Sequence, residues 1–384
     1  MTDLPSLVEA FQSRVLAPLR QTFVGKDEII DVLAIGLIGG ENVFLLGPPG
    51  TAKSALIQEL GRCLGGNVFD YLLTRFTEPN EIFGPFDIRR LREGDLVTNT
   101  EGMLPEADLV FLDELLNANS AILNSLLLAL NERVFRRGRE TRKLPTLMIV
   151  GASNHLPQEE SLAALFDRFL LRVHCDNVAQ EQLTEVLRAG WRLATREVDS
   201  SAGPATLPID VVRQLQAATK RVDVMAVQGV YLDLIHRLRH AGFAVSDRRA
   251  VKFQTLLAAS AILSGRTVVQ PSDLWVLRYT WDLEEQQEVL RSLVQASIDE
   301  HAKGDLQRHP RSLDAAEVNP ELLARDLKRL EQRLSRSTTE NDRTYIRDQL
   351  NELAARCEWV QTEPQASALK QEVTELWQRL QTPS

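Results

Sequence analysis

The chain has 384 residues, 44% hydrophobic and 25% charged, with 44 basic against 53 acidic side chains and a formal charge of −9. This is ordinary globular composition for two or three domains, and it excludes a disordered chain, a collagen and a disulfide scaffold. A negative balance with aromatics at only 6% also argues against a protein that coats nucleic acid or an anionic membrane, which needs basic faces and stacking platforms.

Residues 1–40 read as mostly helical, with Leu7, Val8, Phe11, Val15, Leu16 and Leu19 recurring at helical spacing and Ile29, Ile30, Val32, Leu33 and Leu37 starting a second stripe. Asp3 and Glu9 stand where a secretory leader needs a basic and then an apolar stretch. A short β run at 41–46 leads into a glycine-rich turn at 47–50, and a helix is expected from Lys53 to about Leu64. Two further apolar runs, 109–112 and 147–150, are continuous rather than alternating, as a strand covered on both faces requires. Helical segments separate these runs, so the alternation predicts a doubly wound parallel sheet.

Beyond about residue 176 the pattern is helical, broken by the loop 199–204, and 301–320 is a polar stretch without apolar period that reads as a linker. The last segment carries three stripes: Leu323, Leu327, Leu330, Leu334; Ile346, Leu350, Leu353, Cys357; and Leu369, Val373, Leu376, Leu380. Their spacing predicts helices packed as a bundle or coiled-coil hairpin, either a partner-docking or self-association module or a plain bundle padding what precedes it. The three cysteines, Cys63, Cys175 and Cys357, form no CxxC pair, and the six histidines show no zinc spacing. No apolar run approaches the roughly 18 residues of a membrane span. A reduced, soluble, cytoplasmic protein is the expectation.

The most specific feature is Gly47-Pro48-Pro49-Gly50-Thr51-Ala52-Lys53-Ser54, placed after a strand and at the start of a helix. Glycines let backbone N–H groups curl around phosphate oxygens, and the helix N-terminus adds partial positive charge. Lys53 is positioned to reach the β- and γ-phosphates of a nucleotide, and Ser54 to ligate Mg²⁺. The usual pattern has Gly where this chain has Ala52, so an ordinary helical φ is expected there. Some sixty residues on, the run 109–112 ends in Asp113-Glu114, which places Asp113 near the metal and Glu114 where it can polarise an attacking water. Asn154 follows the next strand, where its amide would orient that water from the far side. The plainer readings are a turn residue for Asn154 and a solvated strand end for the acids.

With these motifs the chain resembles an AAA+ ATPase of the MoxR group, most nearly its regulatory ATPase variant (RavA) branch. The resemblance covers about residues 10–300 and rests on segments 47–54, 74–88, 102–114, 122–138, 151–157, 165–173 and 246–252. It implies an α/β AAA+ P-loop core with a parallel five-stranded sheet followed by an all-α lid; with the composition shifts along the chain, the core is expected over 1–176, the lid over 177–300, a linker at 301–320 and a C-terminal helical tail over 321–384. It further implies a hexameric homo-oligomeric ring with ATP between neighbours. Lys53 and Ser54 match the Walker A ligands, Asp113 and Glu114 the Walker B pair, and Asn154 sensor 1. Arg168 matches the arginine finger, Arg248 sensor 2 with Arg249 its rival, and Val24 and Gly25 the loop beside the adenine. The plainer readings are a surface pair with Asp167 or Glu160 for Arg168 and a helix cap for Arg248.

The function this implies is Mg-ATP hydrolysis driving chaperone-like remodelling of a protein client, with a von Willebrand factor A domain protein as partner. A motor acting on DNA or RNA is the alternative, disfavoured by the acidic balance; a scaffold that hydrolyses little is disfavoured by the intact acid pair. Two features lie outside these assignments. Residues 74–106 are longer than a plain connection and suggest an inserted helix or hairpin, either packed by Phe83 and Phe86 or touching substrate at the ring axis. The basic run Arg133, Arg136, Arg137, Arg139, Arg142 and Lys143 reads first as a solvated hairpin, and otherwise as a pore lining or subunit contact. The tail departs from the branch the motifs resemble.

Overall fold

The computed structural model describes residues 3–92, 97–137, 140–157, 160–195, 206–302, 305, 308–312, 324, 327–328, 330–331, 334, 346–347, 350 and 363–381. In chain order, helix α1 (Leu4–Phe11) continues through a π turn (Gln12–Leu16) into α2 (Ala17–Thr22), then α3 (Asp27–Gly39), β1 (Val43–Leu46), α4 (Lys53–Leu64) and β2 (Val68–Leu72). Next come α5 (Pro79–Phe83), α6 (Ile88–Arg92), β3 (Leu109–Asp113), α7 (Ser120–Glu132), β4 (Val134–Arg137), β5 (Glu140–Lys143), β6 (Met148–Ser153), α8 (Glu160–Phe166) and β7 (Leu171–His174). Among the described residues the α-helices that follow are α9 (Leu183–Thr195), α10 (Ile209–Thr219), α11 (Gln228–His240), α12 (Asp247–Leu263) and α13 (Gln286–His301). A last helix spans Glu363–Gln381. No described helix is long and apolar enough to cross a membrane.

β1, β2, β3, β6 and β7 form one wholly parallel sheet in the order β2-β3-β6-β1-β7. β1 lies between β6 and β7, and all four of its residues are buried, which is why it reads as an unbroken apolar run. β2 and β7 escape that reading for opposite reasons: β2 is an edge strand of mixed exposure, and β7 carries the charged Arg172 in its middle. α7 begins at Asn119, whose Oδ1 accepts from the N–H groups of Ala121 and Ile122, both at 3.1 Å, as an N-cap should. Asn119 Nδ2 donates onward to the carbonyls of Arg75 and Thr77 at 3.2 and 2.8 Å, so one side chain also holds the loop after β2.

The region 74–106 holds α5, α6 and a short antiparallel pairing in which Asp87 N donates to Val97 O and Asn99 N to Pro85 O, each at 2.8 Å. It packs on the β4–β5 hairpin: Phe83 stacks on Phe135 with centroids 5.6 Å apart, and the Arg137 guanidinium lies 4.0 Å above the Phe86 ring. The hairpin expected from the basic run is therefore present, but it is not simply solvated. Arg133 turns inward to Asn42 Oδ1 at 2.7 Å, where burial pushes its pKa down to about 10. Arg142 bonds Thr100 Oγ1 at 2.8 Å, and Arg139 lies outside the described residues.

α10 and α12 pack on α3, and the helical region shares a single apolar core with the sheet. Within it Asp273, completely buried, accepts from Arg266 at 2.7 and 2.9 Å, from Ser260 Oγ at 2.7 Å and from Gln270 N at 2.8 Å. Asp273→Ala leaves Arg266 buried without its counter-ion and is expected to cost about 3–5 kcal/mol of stability. Urea denaturation followed by tryptophan fluorescence reads this directly, and a loss below about 1 kcal/mol would contradict the assigned role.

By contact the chain divides into Met1–His309 and Pro310–Ser384. In the second unit Leu327, Leu330, Ile346, Leu350, Leu369, Val373, Leu376 and Leu380 form their own buried core. The three stripes thus meet, as their spacing predicts; Leu323, Leu353 and Cys357 lie outside the described residues.

Candidate nucleotide site

Parallel strands all end at the same edge of a sheet, and the residues with phosphate chemistry sit there. Leu46 pairs with Ser153, Leu112 with Gly151 and Leu72 with Asp113, so the loop after β1, the end of β3 and the end of β6 stand side by side. This edge beside the strand-order reversal is where open α/β sheets bind ligands. The loop is tied down at its base by Gly47 N donating to Ser153 O at 3.0 Å. A side chain at Gly47 would meet the Cys175 carbonyl at 2.3 Å, and Gly50 has φ of +81°; the loop's shape demands glycine at both places.

Ala52 overturns the expectation of an ordinary helical φ, because it sits at φ +66°, ψ +25°. The left-handed conformation costs an L-residue about 1–2 kcal/mol, a strain held locally at the phosphate loop. Ala52→Gly relieves it, less the roughly 0.5–1 kcal/mol entropic cost of glycine. A Tm increase of about 1–3 °C is expected, read by differential scanning calorimetry; a lower Tm would contradict the strain.

Immediately after it, α4 starts at Lys53, which is 7% exposed. Its Nζ donates to the carbonyls of Gly47 and Pro48, each at 2.9 Å, so the ammonium bridges the mouth of the loop where phosphate oxygens would be bound. Thr51 Oγ1 donates to Pro48 O at 3.0 Å and stiffens the same turn. Asp113 and Glu114 are both half-buried. Asp113 Oδ1 accepts from Glu114 N at 3.0 Å, and Glu114 Oε2 accepts from Asn117 Nδ2 at 3.3 Å. Glu114 has φ +51°, a strained backbone of the kind that clusters at functional sites. Asn154, one residue beyond β6, is exposed at this edge.

Among the described residues no group of three or more His, Cys, Asp or Glu could hold a metal, so a metal caged wholly by such side chains is not what this edge builds. One hydroxyl and one carboxylate, Ser54 and Asp113, suit Mg²⁺, a hard ion that keeps several waters and takes the rest of its ligands from substrate phosphates.

Beside the loop lies a cavity of about 570 Å³ lined by Val24, Lys26, Gly50–Ala52 and one face of α9. Gly25 lines an adjoining cavity with Val24. The α9 face is Leu183, Val186, Gly190 and Leu193, spaced as one side of a helix; sequence reasoning passed it over, although that spacing is the readable signal. Lys26 was missed too: it is buried, donates to Asp176 O and lies 3.8 Å from Cys175 Sγ, pinning the cavity wall to the strand end behind the phosphate loop.

The arginines lie elsewhere. Asn42, just before β1, donates to the Arg168 carbonyl at 3.0 Å, and Arg168 pairs with Asp167 at 3.0 Å. Arg248 donates to Asn131 Oδ1 at 3.0 Å, at the end of α7 that Arg133 joins to Asn42. Both therefore occupy the opposite edge of the sheet from Lys53, Asp113, Glu114 and Asn154. Arg249 differs from its neighbour: it is 6% exposed and bonded to Asp282 and to Thr280 O, each at 2.7 Å, whereas Arg248 is exposed.

Comparison with known proteins agrees with this architecture. Residues 10–217 match the model of the MoxR domain in the MoxR-vWA-beta-propeller ternary systems, and residues 227–294 match an AAA lid domain. An uncharacterised protein of Methanocaldococcus jannaschii is 35% identical over 70% of both chains. Chaperone MoxR1 of Mycobacterium tuberculosis is 23% identical over 68% of this chain and 71% of its own. A crystal structure from Cytophaga hutchinsonii, 17% identical, superposes with a TM-score of 0.61 over 77% of this chain and 95% of that one, which speaks for the fold. The chain thus belongs to the MoxR family of AAA+ ATPases, built as an α/β phosphate-loop core with a five-stranded parallel sheet, an AAA lid and a helical C-terminal region.

Proposed function

We propose that the chain hydrolyses Mg-ATP in a ring of about six copies of itself and uses the cycle to remodel a protein client in the cytoplasm. The observation that carries this reading is the division of labour across the sheet. The groups suited to binding phosphate and activating water share one edge, and the arginines suited to neutralising a transition state stand at the other. A head-to-tail ring brings the second edge of one copy to the first edge of the next.

In this reading Lys53 exchanges its two loop carbonyls for β- and γ-phosphate oxygens, and the amides at the start of α4 cradle the rest. Mg²⁺, held by Ser54 and Asp113, would neutralise charge on the phosphates when bound. Glu114 accepts the proton of the attacking water while Asn154 orients that water. Asn117, bonded to Glu114, steadies the base. Arg168 and Arg248 from the neighbour meet the charge spread over the γ-phosphoryl oxygens; the exposure of Arg248 and the burial of Arg249 favour Arg248 for this role. The adenine occupies the cavity beside Val24 and Gly25. We take residues 1–176 as the nucleotide-binding core and 177–300 as the lid that moves against it.

The name of the matching family model supports a von Willebrand factor A domain protein as partner, and the chaperone name of a relative supports a protein client. Within the family, the motifs favour the regulatory ATPase variant branch for the first 300 residues. The purified chain is expected to hydrolyse ATP in the presence of Mg²⁺, and Lys53→Ala to lose both nucleotide binding and turnover. Undiminished turnover in Lys53→Ala would overturn the site.

A further inference from the structure

Asp282 takes a guanidinium on each carboxylate oxygen: Arg172 of β7 on Oδ1 and Arg249 of α12 on Oδ2, both at 2.7 Å. The two arginine side chains are 0% and 7% exposed, and that of Asp282 is 29% exposed. Two buried cations on one carboxylate is a poor arrangement for stability alone, since packed hydrophobic residues commonly do as well or better. The cost shows in two places. Burial and the neighbouring Arg249 charge hold the Arg172 pKa down at about 10 against the pull of Asp282, and the Nε atoms of both arginines find no acceptor.

What the two arginines hold accounts for the arrangement. Arg172 donates from Nη2 to Phe166 O at 3.2 Å, and its guanidinium lies 4.2 Å over the Phe166 ring. Phe166 closes α8, two residues before Arg168. On the other side, Arg249 directly follows Arg248, and its Nη1 also donates to Ala244 O at 3.3 Å, in the turn that leads into α12. Both arginines converge further on the Thr280 carbonyl, Arg249 at 2.7 Å and Arg172 at 3.5 Å. One carboxylate thereby ties the segment that presents Arg168 to the turn that presents Arg248, 80 positions further along the chain, with α9, α10 and α11 between β7 and α12.

We infer that Asp282 is a positioning residue that locks Arg168 and Arg248 into one rigid unit, so that both reach the neighbouring copy's nucleotide together. This rests on the reading that the two arginines serve a site on the next copy. Asp282 acts through Arg172 and Arg249, and loss of its charge leaves two guanidinium groups facing one another with only the neutral Thr280 carbonyl shared between them.

The test is Asp282→Asn, which keeps volume and removes charge, in the full-length assembled protein. A misplacement of about 1 Å lowers a rate by roughly 10²-fold, so kcat is expected to fall by about that factor while the KM for ATP holds, because the variant's own phosphate loop is untouched. Mixing with Lys53→Ala copies, which carry intact arginines, restores turnover. Adding Asp282→Asn to Arg168→Ala lowers turnover less than about threefold further, as coupled groups do. Arg249→Met breaks the same tie from the α12 side and must show the same split between kcat and KM; it carries the test if Asp282→Asn does not fold. Wild-type kcat in a folded variant overturns the inference, as does a fall in both kcat and ATP affinity that mixing does not repair. Arg168→Ala run in parallel separates the two levels: if its turnover is not restored by Lys53→Ala copies, the shared-site reading fails, whereas if it is restored and Asp282→Asn turns over normally, only the role of Asp282 fails.

Discussion

Arg168→Ala is expected to lower steady-state ATP turnover by about 10³–10⁵-fold, equivalent to roughly 4–7 kcal/mol of barrier, with ATP affinity nearly unchanged. The size follows from what the residue supplies. As the γ-phosphoryl group loosens, negative charge spreads over oxygens that Lys53 alone does not surround, and a fixed cation in a water-poor site stabilises that charge far more than bulk solvent can. The asymmetry between turnover and affinity follows from position, because Arg168 stands at the edge of the sheet away from its own chain's Lys53. In its own chain it forms an ion pair with Asp167, and its side chain is 24% exposed, an arrangement of low energetic worth that a neighbour's phosphate can displace. Malachite-green turnover beside fluorescent-nucleotide titration separates the two quantities. Loss of affinity in step with turnover would show that Arg168 works within its own chain.

Glu114→Gln is expected to reduce hydrolysis by about 10²–10⁴-fold, the range of a positioned general base, and to retain bound ATP in place of ADP. Glutamine keeps the size of the side chain and can still accept from Asn117 Nδ2, so the local packing at the strained backbone of residue 114 is preserved and only basicity is lost. Chromatography of the nucleotide recovered from purified protein decides it: ATP as the major species is the expected outcome, and normal turnover with ADP recovered would remove Glu114 from the role of base. The matched variant Asn117→Ala frees Glu114 without touching the carboxylate, and a fall of about tenfold or less in kcat is expected there, in keeping with a second-layer hydrogen bond.

The residues gathered at this candidate site were more legible in the sequence than its geometry. A phosphate loop announces itself because the backbone path around an anion demands glycines at fixed places, and Gly47 and Gly50 show why: one is pressed against a neighbouring carbonyl and the other has positive φ. The buried strands around it were equally plain, since a strand covered on both faces must be apolar throughout. What stayed hidden depends on partners distant in sequence. The left-handed Ala52 was not legible because alanine ordinarily prefers the helical basin, and only the loop's closure forces it out. Arg133 and Arg137 looked like solvent-facing charges in a basic run, yet a guanidinium that finds Asn42 or the Phe86 ring is an anchor. The hub at Asp282 joins residues more than a hundred positions apart in the case of Arg172, and no local pattern signals it. The contrast between the exposed Arg248 and the buried Arg249 was likewise hidden, since adjacent arginines on a helix point to different sides.

The most direct measurement of a nucleotide site shared between copies is turnover in an equal mixture of Lys53→Ala and Arg168→Ala protein, co-refolded so that rings form at random. Each variant alone is expected to be inactive, one for want of bound phosphate and the other for want of the proposed cation from the neighbour. In a random ring about a quarter of the interfaces pair an intact phosphate loop with an intact arginine, and turnover is expected to rise toward that fraction of the wild-type rate. A mixture no more active than either variant alone would contradict the account.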